Sequence, residues 1–163
     1  VTLQAPSKTF NTAGLSASFA VVPDDRLRGL LRQEIEDAGL TISNVFGVPA
    51  MEAAYAEGGA WRDELVAYLE GNLDFAAAFV RERLPRLRFL KPQGTYLGLL
   101  DARDLGLDPH AVFLFFLDKA RVYLDDGLKF GPALAGFLRL NVGCPRSVLA
   151  QALERIESAV RAL

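Results

Sequence analysis

Residues 60–84 read AWRDELVAYLEGNLDFAAAFVRERL. Trp61, Leu65, Tyr68, Leu69, Phe75 and Phe79 recur mostly three or four residues apart, which is the period of one helical face. Pro85 stops the run, because proline lacks the N–H that an interior turn needs. At about 1.5 Å per residue such a helix is roughly 37 Å long. That is more than the core of a small compact domain requires and suits a crossing between two domains. Upstream, Met51, Ala54 and Tyr55 extend the pattern. Gly58-Gly59 divides it into a shorter and a longer helix, and residues 44–49 read as a turn.

Downstream of Pro85 the pattern alternates quickly. Residues 86–91, 95–101, 121–124 and 137–142 read as short strands, with turns at Pro92-Gln93-Gly94 and Asp125-Asp126-Gly127,. Residues 109–119 read as a helix capped by Asp108 and opened by Pro109. Residues 145–163 read as a second helix, with Leu149, Leu153, Ile156 and Val160 on one face. This half is expected to be a small, mostly antiparallel sheet covered by helices. The first fifty residues differ. Residues 1–11 read as irregular or strand-to-loop. Residues 16–22 read as a buried strand, followed by a helix capped by Asp24 or Asp25 that carries Leu27, Leu30, Leu31, Ile35 and Ala38 on one stripe and stops at Gly39. A strand without neighbours is not stable alone, so residues 1–41 are expected to be the end of a larger sheet. The fold class is α/β, or α+β for these residues taken alone. The expected parts are 1–43, 44–84 and 85–163.

Composition narrows the chemistry. The chain has 163 residues and net charge −2, is 51% hydrophobic and 23% charged, and has 1 Cys and 1 His. The apolar fraction excludes a disordered chain, and the charge balance carries no basic footprint for nucleic acid. One cysteine excludes an internal disulfide framework. One histidine excludes a two-His zinc site, and no metal is expected. No segment is long and apolar enough to cross a membrane, and the expected compartment is the cytoplasm. Chemistry must then rest on Lys, Arg, carboxylates or a borrowed cofactor.

Two residues stand out. Lys8, in Pro6-Ser7-Lys8-Thr9-Phe10-Asn11, lies between two hydroxyl side chains. A desolvated lysine is a usable nucleophile, while an ordinary surface lysine is the competing reading. Arg139 alternates with apolar residues, so Phe137, Arg139 and Asn141 share one strand face and Leu138, Leu140 and Val142 the other. A guanidinium there can clamp a carboxylate or simply face solvent. His110 reads as a surface residue at a helix start, and Cys144 as an inert structural thiol. Tyr55, Trp61, Tyr68, Phe75 and Phe79 read as packing, and Asp125-Asp126-Gly127 as turn chemistry.

The segment from Pro6 to Asn11 with Ala13-Gly14-Leu15 resembles the cofactor-lysine segment of pyridoxal-phosphate enzymes of aminotransferase fold type I, in particular the MalY/PatB-type cystathionine β-lyases, or C–S lyases. Similar segments follow in order: Asn44-Val45-Phe46-Gly47, Ala53-Ala54-Tyr55, Gly59-Ala60-Trp61, Tyr68-Leu69-Glu70-Gly71-Asn72, Pro92-Gln93-Gly94-Thr95-Tyr96, Leu100-Asp101-Ala102-Arg103, Phe137-Leu138-Arg139-Leu140-Asn141 and Cys144-Pro145-Arg146. The resemblance extends over essentially the whole chain. It implies the end of a cofactor-binding large domain (residues 1–43), an interdomain helical segment (44–84) and a small C-terminal domain (85–163).

The resemblance implies that Lys8 binds pyridoxal 5'-phosphate covalently and takes the substrate's α-proton, that Ser7 assists the phosphate, and that Arg139 grips the substrate α-carboxylate. The implied reaction is β-elimination on cystathionine or cysteine conjugates. Transamination is the alternative, since Lys8 and Arg139 serve both. Ser16 stands where many fold type I enzymes carry a phosphate-binding arginine, Gln93 where the branch commonly has glutamate, and Leu99 where it commonly has tryptophan. Family members are more than twice as long, and their phosphate-cradling turn, ring-stacking aromatic and pyridinium-pairing aspartate precede the lysine. The implied partners are an amino-acid substrate and either a second copy of the chain or an N-terminal half. The chain is then expected to be the C-terminal portion of such an enzyme, incomplete and inactive on its own, because those cofactor contacts are absent. A non-catalytic, self-associating remnant, driven by an unpaired sheet edge and apolar helix face, stays open beside this reading.

Overall fold

Helix starts and stops along the chain follow local chemistry. In the computed structural model, which describes residues 1–40 and 44–163, α1 (Asp25–Asp37) begins where the Asp24 carboxylate accepts the Leu27 N–H at 2.8 Å. That satisfies one of the orphan donors of the first turn. Gly39, in the left-handed region at φ 68°, follows its end. Helix α2 (Gly47–Glu57) starts inside the stretch expected to be a turn. Pro49 lies in its first turn, where a missing N–H costs nothing, and the Asn44 side chain accepts the Phe46 N–H just ahead of it. Helix α3 runs Gly59–Arg83, separated from α2 at Gly58.

The chain divides into two compact units, Val1–Leu65 and Val66–Leu163. In the first, β1 (Thr2–Gln4) pairs antiparallel with β2 (Phe19–Val21), Leu3 opposite Ala20. This corrects two expectations. The strand within 16–22 has a neighbour from its own chain, and it is exposed rather than buried: Phe19 is 37% and Val21 49% accessible. An apolar sequence gives a strand the capacity to be covered, and within this unit Tyr55 packs edge-on against Phe19 yet leaves the pair exposed. Helix α1 likewise buries none of its residues.

The second unit holds the core. Strands β3 (Arg88–Leu90), β4 (Leu97–Asp101), β5 (Asp125–Asp126) and β6 (Phe137–Asn141) form an antiparallel sheet in the order β3-β4-β6-β5. Leu100, Leu138, Leu140 and Val142 pack with Leu73, Ala76 and Val80 of α3, Val112 and Phe116 of α4 (Pro109–Asp118), and Leu149, Leu153 and Ile156 of α5 (Arg146–Arg161). Residues 121–124, expected as a strand, are not one. Arg121 takes a left-handed backbone, φ 54°, and the Val122 N–H donates to the Phe116 carbonyl, folding the segment back on the end of α4. The pairing passes instead to Asp125–Asp126. Among the described residues no helix is long and apolar enough to cross a membrane.

Candidate active site

Lys8 sits on a tight turn between β1 and β2. The Phe10 N–H donates to the Pro6 carbonyl at 2.8 Å, and the Thr12 N–H donates to the Ser7 carbonyl at 3.1 Å. Pro6 is buried, and Asn11 takes φ 55°, a conformation asparagine tolerates better than most residues,. Phe10 anchors the turn, its ring 5.8 Å edge-on to Tyr55 and 6.1 Å stacked on Trp61. The ring fits because residue 58 is glycine. A Cβ there would lie 2.5 Å from Phe10 Cε1 and 2.4 Å from the Ala54 carbonyl oxygen.

The turn holds Ser7 half-buried and Lys8 exposed. Its polar side chains include uncommitted groups. Lys8 Nζ makes no hydrogen bond or ion pair among the described residues, and Thr12 Oγ1 is buried without a partner. The other lysines sharpen the contrast. Lys91 pairs with Asp74 and Glu70, and hydrogen bonds from those carboxylates, Asp74 foremost, raise its pKa. Lys129 hydrogen-bonds Tyr123 Oη at 3.2 Å, and that bond, aided by nearby Asp125 and Asp126, raises its pKa too. Such partners keep an amine protonated and non-nucleophilic. Lys8 is exposed, not desolvated, and free of such partners, a state it shares with Lys119 among the described residues.

Arg139 lies in the second unit on β6. The expected alternation holds, with Leu138 and Leu140 buried and Arg139 about one-third exposed on the opposite face. Its cross-strand neighbours are Leu99 on β4 and Asp125 on β5. Asp125 Oδ2 accepts from Arg139 Nε at 3.0 Å and from Nη2 at 2.6 Å, and the Phe130 ring lies 4.8 Å from the guanidinium carbon. Asp125, read from sequence as part of a turn, is thus a partner of Arg139 that sequence reasoning missed. The available signal was the carboxylate at a strand end, two residues from Gly127.

A second missed group is Asn72. It is fully buried, its amide donates to the Val142 and Cys144 carbonyls at 2.8 and 2.9 Å, and its oxygen accepts from Arg146 Nε at 2.6 Å. It pins the chain just after β6, so it supports the strand that carries Arg139. Cys144 is part-buried, and burial pushes its thiol pKa up, as expected of an unreactive cysteine. His110 is exposed at the start of α4. A cavity of about 790 Å³ near the ends of α4 and α5, lined by Lys119, Arg121, Glu154 and Arg155 among others, includes neither Lys8 nor Arg139.

The chain matches no family model. It is 43% identical to cystathionine β-lyase PatB of Bacillus subtilis over 98% of its own length and 41% of that protein's. It is 33% identical to the protein MalY of Escherichia coli over 99% of this chain and 42% of that one. The crystal structure of cystalysin from Treponema denticola, which contains a pyridoxal 5'-phosphate cofactor, superposes with a TM-score of 0.90 at 31% identity, over 98% of this chain and 41% of that one. The chain thus spans about two fifths of the length of the relatives it matches. Over nearly all of its residues the chain is homologous to the MalY/PatB-type cystathionine β-lyases, and it shares the aminotransferase fold.

Proposed function

We propose that this chain supplies the cofactor lysine and the carboxylate-binding arginine of a pyridoxal-phosphate-dependent C–S β-lyase acting on cystathionine or cysteine conjugates. The observation that carries the reading is the turn bearing Lys8, held by backbone hydrogen bonds and by Phe10 stacked on Trp61. The kinship with cystathionine β-lyase PatB supports the same reaction class. When bound, the cofactor supplies an electron sink for the charge left at the substrate Cα. Lys8 Nζ would hold the cofactor and take up the substrate's α-proton, Arg139 would hold the substrate α-carboxylate, and Ser7 would offer its hydroxyl to the phosphate. With the cofactor bound, this set would serve loss of the β-thiolate. On this reading residues 1–43 belong to the cofactor-binding part, 44–84 join it to the rest, and 85–163 form a small domain. The remaining cofactor contacts come from residues outside these 163, and the expected compartment is the cytoplasm.

The test is chemical. The purified chain is treated with pyridoxal phosphate and borohydride, and the labelled lysines are mapped. The expected result is label concentrated on Lys8 at micromolar cofactor, with Lys119 as the unpaired control and Lys91 and Lys129 as the ion-paired ones. Label spread evenly over all four lysines would overturn the assignment of Lys8. Pyruvate formed from cystathionine together with ammonia and thiol distinguishes elimination from transamination, which releases neither.

A further inference from the structure

The carboxylate beside Arg139 has no part in the reaction proposed above, yet the fold places it with care. Asp125 and Arg139 are directly opposed across the β5–β6 ladder, so backbone pairing sets both Cα positions. Gly127 secures that pairing from the other side. A Cβ at residue 127 would lie 2.2 Å from the Leu134 carbonyl oxygen and 2.6 Å from that of Phe137, so the chain after Asp126 closes directly onto the backbone leading into β6.

The contact uses one edge of the guanidinium. Nε and Nη2 both donate to Asp125 Oδ2, and Phe130 covers one face. The other edge, Nη1 with the second N–H of Nη2, has no partner among the described residues. A guanidinium is planar and offers a carboxylate two parallel donors on either edge. Fixing one edge and one face therefore fixes the direction in which the free edge points. Lys129 Nζ lies 3.8 Å from Asp125 Oδ1, partly offsetting the charge that Asp125 brings.

We propose that Asp125 is a positioning residue for substrate binding: it locks Arg139 side-on so that the end-on edge is presented to the α-carboxylate of the ligand. The inference rests on Arg139 being the carboxylate clamp. The negative charge itself works against the ligand, since two carboxylates then share one cation. The hydrogen-bonding oxygen is what positions, and asparagine retains it.

The experiment reads Arg139 directly in the intact chain. Phenylglyoxal modification of Arg139 is followed by peptide mass spectrometry, and the L-alanine concentration that halves its rate is measured for wild type, Asp125→Ala and Asp125→Asn. The expected result is a half-protecting concentration about three- to tenfold higher in Asp125→Ala, restored to the wild-type value or below in Asp125→Asn. Thermal midpoints are recorded in parallel, since a purely structural role would lower the midpoint without moving the protection. Equal or better protection in Asp125→Ala would show that Asp125 competes with the ligand, and would overturn the proposal while leaving the clamp intact. Absence of protection in all three proteins would overturn the clamp assignment and the positioning role with it.

Discussion

Asn72 joins residues that lie about seventy positions apart in sequence. Its amide satisfies two carbonyls of the turn after β6, and its oxygen receives Arg146, whose guanidinium also lies 4.9 Å from the centre of the Phe75 ring. Asn72→Ala leaves both carbonyls and the guanidinium without these partners. The expected loss is about 2–3 kcal/mol, read as a lowered midpoint in urea unfolding. Asp101 offers a pH-dependent counterpart. A hydrogen-bonded ion pair with Arg103 holds its carboxyl below the usual range. A carboxyl with a depressed folded-state pKa stabilises above its unfolded value and loses that contribution as pH falls through the folded one. Stability is therefore expected to decline below about pH 4, and Asp101→Asn to flatten that decline. A pH series of unfolding midpoints for the two proteins checks both. The residue scale was only partly legible in sequence. Lys8 and Arg139 carried local patterns, a hydroxyl-flanked lysine and a strand alternation. Asn72 carried none and Asp125 only a carboxylate at a strand end, because their contacts come from partners 14 to 74 residues away.

Helix boundaries follow short-range chemistry, so they were the most readable elements. The Asp24 cap, the break at Gly58, the end of α3 near Pro85 and the Asp108-Pro109 start of α4 all follow from one or two side chains. Asp24→Ala is expected to cost about 1 kcal/mol and to fray the first turn of α1, visible as faster amide exchange at Leu27. Strand assignments depended on tertiary partners and were less readable. Residues 121–124 are apolar enough for a strand, yet Val122 and Leu124 are buried in a segment that folds back on α4. Gly58 shows a second layer of meaning in one residue. Sequence marks it as a helix breaker, while the structure adds that Phe10 occupies the space of its missing side chain. Gly58→Ala must displace either the Phe10 ring or the α2 carbonyl. The expected cost is about 1–3 kcal/mol, with borohydride labelling of Lys8 falling while that of Lys119 stays constant.

At the scale of the whole chain, burial is divided unequally. Among the described residues of the first unit only Pro6, Val22 and Gly47 are buried, whereas the apolar cluster from Leu73 to Val160 lies entirely in the second. Opening free energy follows buried apolar contact, and each fully buried aliphatic side chain contributes about 1.5–3 kcal/mol. The first unit is therefore expected to open locally while the second stays closed. Brief chymotrypsin digestion should cut first around Phe19, Leu27 or Phe46, and leave a persistent fragment close to residues 66–163. Hydrogen exchange should show the same order, with β1, β2 and α1 exchanging well before β4, β6 and α5. Equal rates in the two units would mean that the hairpin and α1 gain their stability from something other than their own burial. The same asymmetry bears on function. The lysine turn sits in the unit with least internal support, so a partner that covers Leu3, Val21 and Leu30 is expected to slow cleavage at Leu27 and to increase Lys8 labelling together. A rise in one without the other would separate the stability of the first unit from the competence of its lysine.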